Sequence, residues 1–145
     1  MSENPDAEEK IHMSKFGEVL GWATAICYFI SVANFLVKRI FKAWIAEMPK
    51  DNTFRKSYQF FMKLLVKYHR YFGMGAGAFA VLHLCWQIIN VRVSYSGIFA
   101  VMLMSLTAIL GIFIAYGKKS SLTKVHRPMA IAIMAVIIFH MITKL

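Results

Sequence analysis

The sequence predicts an all-α fold: an integral membrane, four-helix up-down bundle. Three observations carry this expectation. Of the 145 residues, 59% are hydrophobic and the mean hydropathy is +0.55, well above the apolar content of a soluble domain. Four apolar runs, about 16–41, 60–90, 94–116 and 126–142, meet or approach the roughly 20 residues that a helix needs to cross a hydrocarbon core. The basic residues also fall between these runs in a pattern that gives the bundle one positive face.

Residues 1–15 form a polar, mostly acidic N-terminal tail (Glu3, Asp6, Glu8, Glu9) that is expected to be poorly ordered. A secretory signal would instead open with positive charge and a short apolar core, so none is expected. Residues 16–145 form the membrane domain. In lipid the backbone must satisfy its own polar groups, which makes each run a helix. After the first run, Pro49, Asp51 and Asn52 break the longest connection, about 42–59. Trp44, Ile45 and Met48 there suit a short interfacial segment. The second connection, about 91–95, is short, and the third, 117–124, carries Gly, Ser and Lys. Pro128 lies near the start of the fourth helix, where the first turn tolerates it.

The formal charge is +10, and its placement argues for topology rather than nucleic acid. Of the 17 Lys and Arg residues, nine lie between Lys38 and Arg70 and four between Lys118 and Arg127. With four spans, both clusters fall on the same side. The positive-inside rule places that side in the cytoplasm and both termini on the outer, periplasmic side of the inner membrane. Anionic membrane lipid is the natural partner of such a face, and an acidic partner protein is another. Cys27 and Cys85 both fall in spans without a CxxC or CxxCH setting. Metal clusters and covalent c-type haem therefore gain no support, and the two read as small packing residues.

An internal match singles out four histidines. The segment HRYFGMGAGAFAVLH, residues 69–83, has the same length, His-Arg opening and closing His as HRPMAIAIMAVIIFH, residues 126–140. The two lie in spans two and four, which run in the same direction. Fourteen residues rise about 21 Å and return within about 40° of the starting face. Each helix thus presents two rings on one face, one near each side of the membrane. His69 should meet His126 near the inner side, and His83 should meet His140 near the outer side.

Two imidazoles alone make a poor zinc or copper cage, which usually takes three or four protein ligands. Haem iron needs only axial ligands, because the porphyrin supplies the equatorial plane. Two b-type haems, with His69, His83, His126 and His140 as axial ligands, are the economical expectation. Gly73 and Gly77 lie four and eight residues after His69, on its face, where a porphyrin needs a backbone without bulk. A small-residue helix-packing seam accounts for them equally well. Arg70 and Arg127 follow the inner histidines directly and suit haem propionates, which guanidinium binds bidentately. Lys63 and Lys67 lie on the same side, where topology alone explains them. Glu18, Thr24, Ser31, Asn34, Gln87 and Asn90 could line a quinone pocket, with Glu18 exchanging the proton. Headgroup-level boundary residues are their simpler reading. His12 lies in the N-terminal tail and is assigned no role.

On these residues the chain resembles transmembrane di-haem cytochromes b. The segments LTKVHRPMAIAIMAVIIFH and KYHRYFGMGAGAFAVLH look most like the ferric reductase side of that superfamily. The resemblance covers about half the chain and implies the four histidines as ligands. It further implies a role as an electron-transfer subunit linking a quinone or redox partner protein to an acceptor, rather than a complete enzyme. Ferric reductases generally have six spans and often a flavin domain. Here the chain ends five residues after His140 and has no G-x-G-x-x-G fingerprint in a βαβ setting. Two other readings follow from the same residues: a haem-free transporter or assembly subunit with a histidine relay, and a reductase acting on an outer acceptor.

Overall fold

The structure, a computed structural model, describes the backbone of residues 5–117 and 120–143 and the side chains of 11–117 and 121–143. Glu3, Lys118, Lys119 and Lys144, and the side chains of Asp6, Glu8, Glu9 and Lys10, lie outside the described residues. The fold is all-α: α1 (Pro5–Ile40), α2 (Thr53–Asn90), α3 (Tyr95–Gly117) and α4 (Thr123–Ile142). All four are long and apolar enough to cross a membrane. Their outward surfaces carry Leu82, Phe113 and Phe139, each more than half exposed, a covering suited to lipid rather than water.

Several boundaries differ from the sequence expectation. Helix α1 reaches back to Pro5 and takes in residues 5–15 of the polar segment expected to be poorly ordered. Beyond Ile40 the chain continues as a wide π-helical turn, Phe41–Ile45, closed by Ala46 N–H donating to Phe41 O at 2.8 Å. Within the segment expected to be interfacial, Ile45 is buried while Trp44 is 75% exposed. Asn52 then caps α2, its side chain accepting from Arg55 N–H at 3.2 Å, which satisfies one of the orphan donors of the first turn. Helix α4 starts at Thr123, behind a 3₁₀ turn at Ser120–Leu122. Pro128 therefore lies in the second turn, not the first, and removes the hydrogen bond to the Lys124 carbonyl. That carbonyl lies next to the helix start.

Contacts fix the helix directions. Gly17 of α1 approaches Trp86 of α2, while Tyr58 OH at the other end of α2 donates to Val37 O of α1. Helices α1 and α2 are therefore antiparallel. Gly97 approaches His140 and Gly111 approaches His126, so α3 and α4 are antiparallel too. The closest packing is within these two hairpins, and α1–α4 and α2–α3 contacts join them more thinly.

The hairpins repeat each other. Helices α2 and α4 match at a shift of 57 (69 to 126, 83 to 140), and α1 and α3 match at a shift of 76 (21 to 97, 31 to 107). The core cluster lies at mid-height and comprises Ala25, Tyr28, Ala76, Ala80, Met104, Ile133 and Ile137. Six of these seven form matched pairs: Ala76 with Ile133, Ala80 with Ile137, and Tyr28 with Met104. Tyr28 also donates its hydroxyl proton to Ala130 O of α4 at 2.7 Å, binding one hairpin to the other.

Candidate functional site

The four histidines gather as two pairs. The ring centroids of His69 and His126 are 6.5 Å apart at 86°, and those of His83 and His140 are 6.5 Å apart at 79°. The pairs lie on either side of the mid-height core. Both have one ring on α2 and one on α4, which therefore run parallel.

Each ring is held at Nδ1 by the other helix of its own hairpin. His69 Nδ1 lies 2.9 Å from both Ser31 O and Ser31 Oγ. His83 Nδ1 is 2.8 Å from Gly17 O, and His126 Nδ1 is 3.1 Å from Thr107 O. His140 Nδ1 lies 2.9 Å from Ser96 Oγ and 3.4 Å from Ser94 Oγ. A backbone carbonyl can only accept, so Nδ1 of His69, His83 and His126 carries the proton. In a neutral ring this leaves the lone pair on Nε2, the tautomer that a metal ligand needs, with the outer hydrogen bond orienting the imidazole.

The centroid spacing can be set beside that of a bis-imidazole iron. A metal–nitrogen bond of about 2.0 Å, plus about 1.1 Å from nitrogen to ring centre, taken twice, gives roughly 6.2 Å. Both pairs match this. Among the described residues no group of three or more His, Cys, Asp and Glu side chains gathers to hold a metal ion. The donor set is therefore two imidazoles per level, which fits a group that brings its own equatorial donors.

Three glycines that the sequence reading did not single out make the close approach possible. A Cβ at Gly21 would lie 3.2 Å from His83 Cε1, at Gly97 3.3 Å from His140 Cε1, and at Gly111 3.3 Å from His126 Cε1. Each would press on a histidine ring. Gly73 and Gly77 behave differently. A Cβ at Gly73 would meet only Ser31 Oγ at 3.6 Å, and at Gly77 nothing within 4 Å. Gly77 thus faces open space, and Gly73 sits in ordinary contact.

A cavity of about 370 Å³ reaches the outer pair. Its lining includes His83, His140, Gly21 and Gly97 together with the polar side chains of Glu18, Thr24, Gln87 and Arg92. The structure therefore brings Glu18, Thr24 and Gln87 to the outer histidines, but not the other polar candidates. Ser31 supports His69 instead. Asn90 Nδ2 donates to Trp86 O at 3.2 Å. Asn34 Oδ1, one turn beyond Ser31, is the one buried side-chain polar atom among the described residues without a hydrogen-bond partner. Arg70 reaches α3, where it donates to Tyr116 OH at 3.0 Å and stacks on that ring, and Arg127 is exposed.

Comparison with protein-family models, curated proteins and solved structures gives no match.

Proposed function

We propose that the chain is an electron-transfer subunit of a membrane oxidoreductase, a cytochrome b that holds two b-type haems at stacked levels in the bilayer. The observation that carries this reading is the twin histidine pair, with both centroid separations at 6.5 Å and each Nδ1 tied back to the helix behind it. His69 and His126 would hold the inner group, and His83 and His140 the outer one. When bound, each iron supplies reversible one-electron exchange. The protein's part is to fix the ligand rings, exclude water and leave room for the flat macrocycle.

The remaining residues divide by level. Gly21, Gly97 and Gly111 let the rings seat, and the open space beside Gly77 suits a porphyrin face. Arg70 and Arg127 lie one residue from the inner ligands and suit carboxylate side arms there. Arg92 lines the outer cavity and can serve the same chemistry on that side. Glu18 and Gln87 line the same cavity, so a quinol arriving from the outer leaflet would meet a carboxylate to take its proton and an amide to orient it. Asn34 Oδ1 marks a place near the inner pair where a donor, from a ligand or water, is owed.

The reading extends to setting. The basic loops face the cytoplasm, both termini face outward in the inner membrane, and redox partner proteins supply and remove electrons at the two ends. Haem quantitation on the purified chain tests the core of the proposal. Two haems b per chain are expected, with dithionite-reversible Soret and α-band changes. His83→Ala and His140→Ala should each lose one haem, and His69→Ala and His126→Ala the other. A colourless preparation, or one whose haem survives all four substitutions, refutes it and favours a haem-free histidine relay.

A further inference from the structure

Three of the four rings bond at Nδ1 to backbone carbonyls, of Ser31, Gly17 and Thr107, His69 also meeting the Ser31 hydroxyl at 2.9 Å. Helix geometry fixes those carbonyls, and side-chain replacement does not remove them. His140 is set differently: its Nδ1 bonds to the hydroxyl of Ser96 at 2.9 Å. Ser96 is itself placed by the start of α3. Ser94 caps that helix, its Oγ accepting from Gly97 N–H at 3.2 Å, and lies 3.4 Å from Ser96 Oγ. A Cβ at Gly97 would sit 3.0 Å from Ser94 Oγ and 3.3 Å from His140 Cε1, so the glycine permits this arrangement of cap, serine and ring.

We propose that Ser96 is the positioning residue of His140 and that its hydroxyl sets the reduction potential of the outer haem independently of the inner one. The inference rests on the di-haem reading above. A ring that ligates through Nε2 carries its proton on Nδ1, and donation from Nδ1 raises the basicity of Nε2. A more basic ring favours the oxidised iron, which bears one more positive charge. Hydrogen bonding around the ligand is thus a lever on potential. An amide carbonyl is the better acceptor, because resonance places extra negative charge on its oxygen. The Ser96 hydroxyl therefore leaves the His140 ring less electron-rich than a carbonyl would. It is also the lever that substitution can move.

The test is a spectroelectrochemical redox titration of the full chain in nanodiscs, with haem content measured in parallel. The outer component is identified as the one lost in His83→Ala. In Ser96→Ala the outer component should become easier to reduce by at least threefold in its reduction equilibrium. That is about 28 mV upward, at 59 mV per decade for one electron. The inner component should stay where it is. Ser96→Asp, with a carboxylate acceptor, should move the outer component the opposite way, and Ser96→Thr should hold it at the wild-type position. If Ser96→Ala sheds the outer haem, the Asp and Thr variants decide the question by their opposite predicted shifts. The proposal is overturned if both haems remain and no Ser96 variant shifts the outer component selectively, or if Thr behaves like Ala. That result leaves the di-haem reading standing, whereas wild-type protein without haem overturns both.

Discussion

Gly21→Ala is the sharpest probe of how tightly the outer pair is built. The new methyl would lie 3.2 Å from His83 Cε1 and 3.5 Å from Nδ1. The ring must retreat by roughly 0.3–0.5 Å to restore ordinary van der Waals distance. Its only easy direction is away from α1, toward His140. The Nδ1 bond to Gly17 O, now 2.8 Å, can lengthen by that amount and remain a hydrogen bond. Without cofactor the cost is therefore small, and the roughly 1 kcal/mol gained by replacing glycine with alanine in a helix offsets it. With cofactor the outcome is different. The ring would shift by that roughly 0.3–0.5 Å relative to His140 and to the group between them, taking the 6.5 Å separation to about 6.0–6.2 Å, at or just under the roughly 6.2 Å that two metal–imidazole bonds need. A ligand set displaced by about 0.5 Å loses its productive geometry. We expect at least a tenfold weaker hold on the outer haem, about 1.4 kcal/mol, with the inner haem retained and the unfolding midpoint of the apoprotein unchanged. Haem stoichiometry and the low-spin spectrum of each component read this directly. Gly21→Ala protein that keeps both haems with an unaltered outer spectrum refutes the reasoning.

Further expectations concern the fold around the sites. Ile133 is fully buried, so Ile133→Ala should cost about 2–5 kcal/mol in detergent-denaturant unfolding, and a cost below about 1 kcal/mol would mean that the mid-height core is not close-packed. Tyr28→Phe removes the hydrogen bond to Ala130 O and should cost about 1 kcal/mol in the same assay without changing haem content. A cysteine placed by Asn52→Cys should react with an impermeant maleimide only from the cytoplasmic side of oriented vesicles, and labelling from the outer side would invert the proposed topology. Gly77→Ala, facing open space, should leave apoprotein stability equal to wild type or up to about 1 kcal/mol higher, and a measured loss would show that the space is already filled by protein.

The sequence made the helices and the histidine pairs legible for the same reason: both are periodic. Four apolar runs of bilayer length read as spans, and a 14-residue spacing repeated on two like-directed spans places rings at matching depths. Boundaries were less legible. The polar residues 5–15 do not signal a helix by apolar pattern, yet they continue α1 because nothing in them breaks it after Pro5. Pro128 looked like a first-turn proline because the histidine repeat, not the cap, marked the apparent helix start. The facing residues Gly21, Gly97, Gly111 and Thr107 were missed, and Ser31 was read as a quinone-pocket candidate rather than as the partner of His69, because α1 and α3 carry no repeated histidine to mark the facing positions. The available signal was a second repeat: glycine followed ten residues later by Ser or Thr, at 21 and 31 and again at 97 and 107. Arg70 shows the opposite case. Its place after His69 was visible, but its bond to Tyr116 depends on where α3 ends.

The repeat is most informative where it is broken. Several positions at the two histidine levels match in the two hairpins: His69 with His126, His83 with His140, Gly21 with Gly97, Ser31 with Thr107. The positions between the two levels do not. Ala76 and Ala80 on α2 match Ile133 and Ile137 on α4, and all four lie in one buried cluster with Tyr28 and Met104. Two copies of the alanine helix would leave voids at mid-height, and two copies of the isoleucine helix would overfill it. One of each places small and large side chains together in the one buried cluster, with Tyr28 reaching across to Ala130. The site levels tolerate symmetry because each needs the same ring from both sides. The core between them demands asymmetry because two side chains cannot occupy one volume. On this argument Ala76→Ile should destabilise the bundle by overpacking against Ile133, and Ile133→Ala on the same chain should recover part of the loss. Singles and double measured in one unfolding series would give a coupling energy of about 0.5–3 kcal/mol. Simple additivity would mean that the two residues do not share the space on which this account of the core depends.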